Sequence, residues 1–203
     1  RLRPLVELLD EQYDLFSLAS TYRFNQQWQL RLGYGDTVSW PETFEIVPRT
    51  FTDFETLEQF SGNRELQPAE IENYDVRLEW YPGEDQSITL AWYSKDLTNA
   101  IENTFLGESE EYQYYTFDNV SSASVDGWEL DLRQVFSFGA SHELFVQASY
   151  TDINSEVELP ANTLEYDPNR PLQGQPDYLI NLQLGYDHIA TQQQFTVVYN
   201  RRG

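Results

Sequence analysis

The chain has no cysteine, no long apolar run and little positive charge, with 12 Lys and Arg against 34 Asp and Glu and a net charge of -22. Without cysteine, disulfides and thiolate metal sites are excluded. A membrane-spanning helix needs ~20 consecutive apolar residues, and no stretch approaches that. Spanning strands stay open, because barrel strands are only ~9–11 residues long and alternate in polarity. The deficit of bases argues against nucleic acid, which selects a basic footprint, and against adsorption to an anionic lipid surface by charge alone. What the chain has instead is aromatic side chains: 14 Tyr, 12 Phe and 5 Trp. A disordered segment is poor in such residues, so the 203 residues are expected to fold, although mean hydropathy is only -0.59.

Alternation carries the fold. Trp28, Leu30, Leu32 and Tyr34 are interleaved with Gln29, Arg31 and Gly33, and Tyr74, Val76, Leu78 and Trp80 with Asp75, Arg77 and Glu79. Trp128, Leu130 and Leu132 face Glu129, Asp131 and Arg133 in the same way, and Tyr178, Ile180, Leu182, Leu184 and Tyr186 alternate with Asn181, Gln183 and Gly185. A period of two gives a strand with one apolar and one polar face. Eight such strands are expected, roughly over 14–24, 27–38, 71–81, 86–97, 121–136, 141–154, 175–187 and 192–201. Most exceed the ~5–6 residues of globular strands.

The connections alternate in length. Asn25-Gln26, Pro82–Asp85, Ser137–Ala140 and His188–Thr191 are tight turns rich in turn formers, while 39–70, 98–120 and 155–174 are long. Outer-membrane barrels have short turns at one rim and long loops at the other, so the fold class is all-β: an antiparallel meander of about eight long strands from a large transmembrane barrel. Aromatics near the tight turns, such as Phe24, Trp28, Trp80, Tyr81, Phe136, Phe138 and Tyr186, fit an interfacial girdle. The same rings would also serve as core in a two-sheet sandwich. Within the first long loop, Phe54, Leu57 and Phe60 fall at helical spacing before Gly62-Asn63, which predicts a short helix over 52–60. No internal repeat or linker appears, so one segment, 1–203, is expected.

If the strands span a bilayer, charge must keep to one face, because it costs ~2–4 kcal/mol on the lipid side at mid-membrane. Arg31, Asp75, Arg77, Glu79, Glu129, Asp131 and Arg133 satisfy that condition and are candidates for a lumen-facing row that contacts a plug. Acids dominate the long loops: Glu42, Glu45, Asp53, Glu55, Glu58, Glu65 and Glu70 in the first, Glu102, Glu108, Glu110, Glu111 and Asp118 in the second, and Glu156, Glu158, Glu165 and Asp167 in the third. Arg49, Arg64 and Arg170 are the only bases there. Among these acids lie Trp40, Phe44, Phe51, Phe54, Tyr112, Tyr114 and Tyr115, candidates for stacking on a cationic or sugar-like solute. His142 and His188 fall at separate turns with no spaced partner. No nucleophile motif, phosphate loop or metal-ligand spacing is present, so neither an enzyme nor a cofactor or metal site is expected.

Several segments resemble the barrel of TonB-dependent outer-membrane receptors. The clearest is Gly62-Asn63-Arg64-Glu65-Leu66-Gln67-Pro68, followed by Glu70, Asn73-Tyr74-Asp75 and Glu79-Trp80-Tyr81. Tyr34–Pro41, Ser124–Leu130 and Arg170–Pro176 with Tyr178, Asn181 and Tyr199-Asn200-Arg201 follow in the family's order. Asp36 and Trp40 stand where many relatives carry bases. The resemblance implies the C-terminal part of a barrel of about 22 strands, with the plug domain and final strands absent from this segment. It implies bacterial outer-membrane localisation and active uptake of a scarce solute such as a ferric siderophore, cobalamin or an oligosaccharide. The implied partners are membrane lipid, the protein's own plug and the TonB complex. A passive porin-like barrel and a soluble extracellular β-sandwich binding carbohydrate are the alternatives.

Overall fold

A polarity period of two gives each strand one apolar and one polar face, and in the computed structural model these strands lie side by side in one sheet. It describes residues 12–159, 164 and 169–203. In chain order the elements are β1 (Ser17–Arg23), β2 (Trp28–Ser39), helix α1 (Thr43–Ile46), β3 (Thr50–Asp53), β4 (Glu58–Ser61), β5 (Ala69–Trp80) and β6 (Ser87–Glu108). They continue with β7 (Gln113–Phe138), β8 (His142–Glu158), β9 (Asn169–Arg170), β10 (Tyr178–His188), a 3-10 turn (Ile189–Thr191) and β11 (Gln193–Arg202). One sheet joins all the described strands in the order β1-β2-β5-β6-β7-β8-β10-β11, antiparallel throughout that path. The eight long strands expected from alternation are these eight.

Register turns the alternation into two continuous faces. Leu30 lies opposite Leu78, then Leu90, Leu130, Tyr150 and Ile180. On the other side Gln29, Glu79, Thr89, Asp131, Ser149, Asn181 and Asn200 form one row. The apolar rows are not covered by a second sheet or a helix layer: Leu130 is 47% exposed, and Leu32, Val76, Leu78, Leu90, Trp128, Tyr150 and Leu184 are exposed with it. A sandwich would have buried them. The charged face is the more enclosed side, with Gln29, Glu79, Thr89 and Ala91 buried there. The 12 residues of β2 make ~40 Å of strand, which at a tilt of ~40° gives ~30 Å of height, enough for a ~25 Å apolar band. No helix of the described residues is long and apolar enough to cross a membrane.

The expected long connection over 98–120 is corrected. β6 and β7 run on for 22 and 26 residues and meet in a tight turn at 109–112, closed by Ser109 N–H donating to the Tyr112 carbonyl (2.8 Å). Glu102, Glu108 and Asp118 therefore sit on strands. The extension was hidden by a change of phase. Below Asn99 the buried residues of β6 include Thr89 and Ala91, whereas above it they are Ala100, Glu102 and Thr104. Asn99 has φ 57°, the left-handed region that asparagine tolerates better than most residues. On β7 the matching break falls between Val120 and Ala123, both buried. A second irregularity lies between Phe105 and Gly107.

The first long loop is also structured. No helix forms over 52–60: β3 and β4 pair as a hairpin there, Thr50 opposite Ser61 and Phe51 opposite Phe60, with Leu57 at φ 59° in its turn. The one short helix among the described residues, α1, lies ahead of it. Above Ser122, β7 has lost its neighbour β8, and β4 pairs in parallel with Gln113–Thr116. An open strand edge is thereby covered. Among the described residues, compact hydrophobic clusters occur only at this end: Ala100, Val120, Ala123, Val157 and Leu159 in one, and Ile46, Leu66 and Phe117, flanked by Phe60 and Ile101, in the other. Glu165 and Asp167, named from the sequence, lie outside the described residues.

Candidate functional site

Two regions collect the residues that could meet a solute. The first is the charged face. Arg31 on β2 lies directly opposite Arg77 on β5, an unfavourable like-charge pair that the neighbouring acids relieve. Arg31 Nε lies 3.0 Å from Glu79 Oε1. Glu79, only 3% exposed, also accepts from the Tyr81 hydroxyl (2.7 Å) and from the Gln29 amide. Arg77 Nη2 passes over β6 to reach β7, 3.4 Å from Asp131 and 3.7 Å from Glu129. Two strand spacings separate β5 from β7, ~9.6 Å. The crossing is open because β6 presents only Thr89 and Ala91 opposite Glu79 and Arg77. Asp75 lies against Gly33 and Arg133 opposite Ser87, so all seven residues predicted for this row share one face. At its turn end, Gly185 lies under the Phe145 ring, where a Cβ would sit 1.9 Å from ring carbon.

The second region is the outer end, where the Gly62–Pro68 stretch acts as a clamp. A Cβ on Gly62 would lie 2.1 Å from the Val47 carbonyl oxygen, so only glycine lets the chain pass beneath α1. Asn63 donates to the Phe117 carbonyl (2.9 Å) and to Asp118 (3.0 Å). Asn119 answers from β7: its side chain donates to the Gln67 and Asn99 carbonyls (2.8 and 2.7 Å) and accepts from the Gln67 amide (2.7 Å). The loop between β2 and β5 is thus fixed to the upper part of the β6–β7 hairpin. Glu102, 6% exposed, is held by Arg170 at 2.8 Å, which ties the third loop to the same place.

Beside the clamp lies an open recess of about 940 Å³. Phe44 of α1, Phe51 of β3 and Phe54 of the hairpin turn line it together with Phe60 and Phe117. The rings contact one another, Phe44 edge-on to Phe117 at 5.5 Å and Phe60 stacked on Phe117 at 6.0 Å and on Tyr115 at 5.4 Å. Glu45, Asp53 and Glu55 stand at its wall with Glu102. Burial pushes the Glu45 carboxyl above its ordinary range, against the pull of the Glu42 amide that it accepts.

Of the seven aromatics singled out from the sequence, the structure brings Phe44, Phe51 and Phe54 into this recess and Tyr115 against its Phe60. Trp40 is elsewhere, edge-on to Tyr13 at 5.8 Å. Tyr112 and Tyr114 belong to the tip of the β6–β7 hairpin, where Glu111 pushes the Tyr112 hydroxyl upward. Phe60, Phe117, Asn103 and Gln173 were not anticipated. Only the strand-forming Thr50-Phe51-Thr52 run signalled the hairpin that presents Phe60. His142 and His188, separate in sequence, lie directly opposite across β8 and β10, their rings stacked at 4.4 Å. Among the described residues no group of three or more potential ligands could hold a metal.

An amphipathic single-layer meander with short turns at one rim and clamped, elaborated connections at the other is the wall of an outer-membrane-type β-barrel. Over residues 10–203 the chain matches the family described as TonB dependent receptor-like, beta-barrel, and it belongs to that family. No curated protein matches it by sequence. Solved structures do. A mutant of the ferric enterobactin receptor PfeA from Pseudomonas aeruginosa is similar with TM-score 0.62 at 18% identity, over 93% of this chain and 27% of that one. The siderophore receptor PirA from Acinetobacter baumannii gives TM-score 0.62 at 18% identity, over 93% and 28%. The copper transporter OprC gives TM-score 0.59 at 16% identity, over 85% and 24%. The chain spans about a quarter of the length of these proteins.

Proposed function

We propose that this chain is part of the barrel wall and outer vestibule of a bacterial outer-membrane receptor that takes up a scarce solute, with energy supplied through TonB. The observation that carries the reading is the division of the wall: an exposed aliphatic and aromatic face opposite a charged, more enclosed face along the same strands. In this reading lipid meets the first face, and the plug and the solute route meet the second, along Arg31, Asp75, Arg77, Glu79, Glu129, Asp131 and Arg133. The clamped loops at the outer end meet the solute first. Family membership supports the role of plug and TonB, and the names of the structural neighbours support a scarce metal-bearing solute or a comparable nutrient.

The test is uptake by the full-length receptor produced in the outer membrane of cells with and without functional TonB, offered labelled ferric siderophores, cobalamin and oligosaccharides. Accumulation of one of them only in the TonB-competent cells is expected. Equal entry in both strains would instead indicate a passive pore. Recovery of folded protein in the aqueous fraction without detergent would overturn the membrane reading altogether.

A further inference from the structure

We infer that the outer recess selects a positively charged solute with a flat or apolar body and rejects anionic ones of the same shape. The inference rests on the receptor reading above and adds the charge class of the ligand. Three observations meet at one place. The recess, about 940 Å³, is at the upper end of the ~300–1,000 Å³ range of small-molecule sites. Its floor is a set of phenyl faces, Phe51, Phe60 and Phe117 among them, and Phe54 stands 79% exposed at the hairpin turn. Aromatic faces of this kind attract cations.

The third observation is charge. Glu45, Asp53, Glu55 and Glu102 line the recess, and among the described residues no Lys or Arg does. Among the described residues, Glu102 alone of these four is paired with a base, Arg170. Asp53 Oδ1 accepts from the Glu55 amide (2.8 Å), capping the hairpin turn. The tip of the β6–β7 hairpin carries Glu108, Glu110 and Glu111 as well. A cation entering this end gains from Glu45, Asp53 and Glu55, and each is a repulsion for a multiply anionic ligand such as a ferric tris-catecholate complex. The ligand chemistry is therefore opposite in sign to that of such a complex, despite the fold shared with an enterobactin receptor.

The experiment uses the full-length receptor in nanodiscs of zwitterionic lipid, titrated with two fluorescent tricyclic probes of matched shape, N-methylacridinium and anthracene-2-sulfonate. Tighter binding of the cation is expected, weakening as salt rises from low to high concentration. Asp53→Asn, which retains the turn-capping oxygen, and Glu55→Gln should each weaken the cation roughly three- to tenfold and leave the sulfonate unchanged or improved. Phe54→Ala should weaken the cation without altering the fold. Glu70→Gln, an equal charge change outside the recess, should do nothing. Equal or tighter sulfonate binding, or a cation preference that survives Asp53→Asn combined with Glu55→Gln, overturns the inference. Uptake assays keep the two readings apart: TonB-dependent import of an anionic solute through this recess would overturn the charge class alone. Retained cation preference with TonB-independent entry would overturn the transport reading alone.

Discussion

Leu184 and Gln183 are consecutive on β10 and point to opposite faces, so the same substitution at each measures what the two faces contact. Leu184 is 41% exposed, between Val146 and Val197 on the neighbouring strands. It stands four residues from His188, the last residue of β10, which is ~14 Å of strand, or ~10 Å of height at ~40° of tilt. That places it close to the middle of a ~25 Å apolar band. Leu184→Arg should therefore cost about 2–4 kcal/mol. Gln183 faces the charged side between Gln147 and Val198, where a guanidinium keeps its hydration, and Gln183→Arg should cost less than about 1 kcal/mol. The assay is denaturant unfolding of the full-length protein refolded into phospholipid vesicles, followed by tryptophan fluorescence. If the two variants lose equal stability, or Gln183→Arg loses more, the apolar face does not meet lipid and the wall has been assigned inside out.

Other consequences follow from the clamp and the charged row. Gly62→Ala should push the chain away from the Val47 carbonyl, undock the hairpin from β7 and open residues 50–61 to protease while leaving the strand content by circular dichroism unchanged. Arg170→Ala strands the buried Glu102 carboxylate and should loosen the outer loops by about 3–5 kcal/mol of docking free energy, read as faster local amide exchange; Glu102→Gln should be milder. Glu45 has a carboxyl raised above its ordinary 4.5 chiefly by burial. Its stabilising contribution is complete below that pH and lost as pH climbs through the raised value, so the loop should resist protease best in mild acid, and Glu45→Gln should flatten that dependence. Arg77→Gln should change global stability by no more than about 1 kcal/mol, because both ion pairs are substantially exposed; a loss of several kcal/mol in the unfolding assay would show that the row is a structural lock.

The wall could be read from sequence because one constraint acts on every residue of it. Each side chain from Trp28 to Tyr34 or Tyr74 to Trp80 faces either the apolar or the charged side, and the period of two records the choice. The outer end obeys several constraints at once. On β6, Asn99 turns the strand over within a continuous ladder, so the rows that read cleanly up to Leu97 resume out of phase and look like loop. Phe54, Leu57 and Phe60 mimic a helix face because a turn residue, a left-handed residue and a strand residue happen to fall three apart. Nothing local distinguishes that spacing from a helix. The Gly62–Pro68 stretch was recognisable as a motif, but its role needed partners more than fifty residues away, Asn119 and Phe117. Likewise His142 and His188 meet only because the β8–β10 register sets them opposite each other.

These differences follow from where the protein keeps its interior. The wall buries little against itself: its apolar rows are exposed, and its cohesion comes from the hydrogen-bonded ladder between strands. Positional freedom along it is correspondingly high, provided each substitution keeps to the polarity of its face. The outer end has the opposite character, with small clusters around Val120, Val157 and Phe117 and side chains such as Asn63, Asn119 and Arg170 each committed to specific distant carbonyls or carboxylates. An element that must hold a recess open in water needs such commitments, because no lipid supports it from outside. In the proposed reading the clamp sets the shape of the recess, and its acids and rings set what enters. In the same reading, a receptor of this family changes its ligand by altering a few side chains on β3, α1 and the hairpin turn while the wall beneath stays as it is.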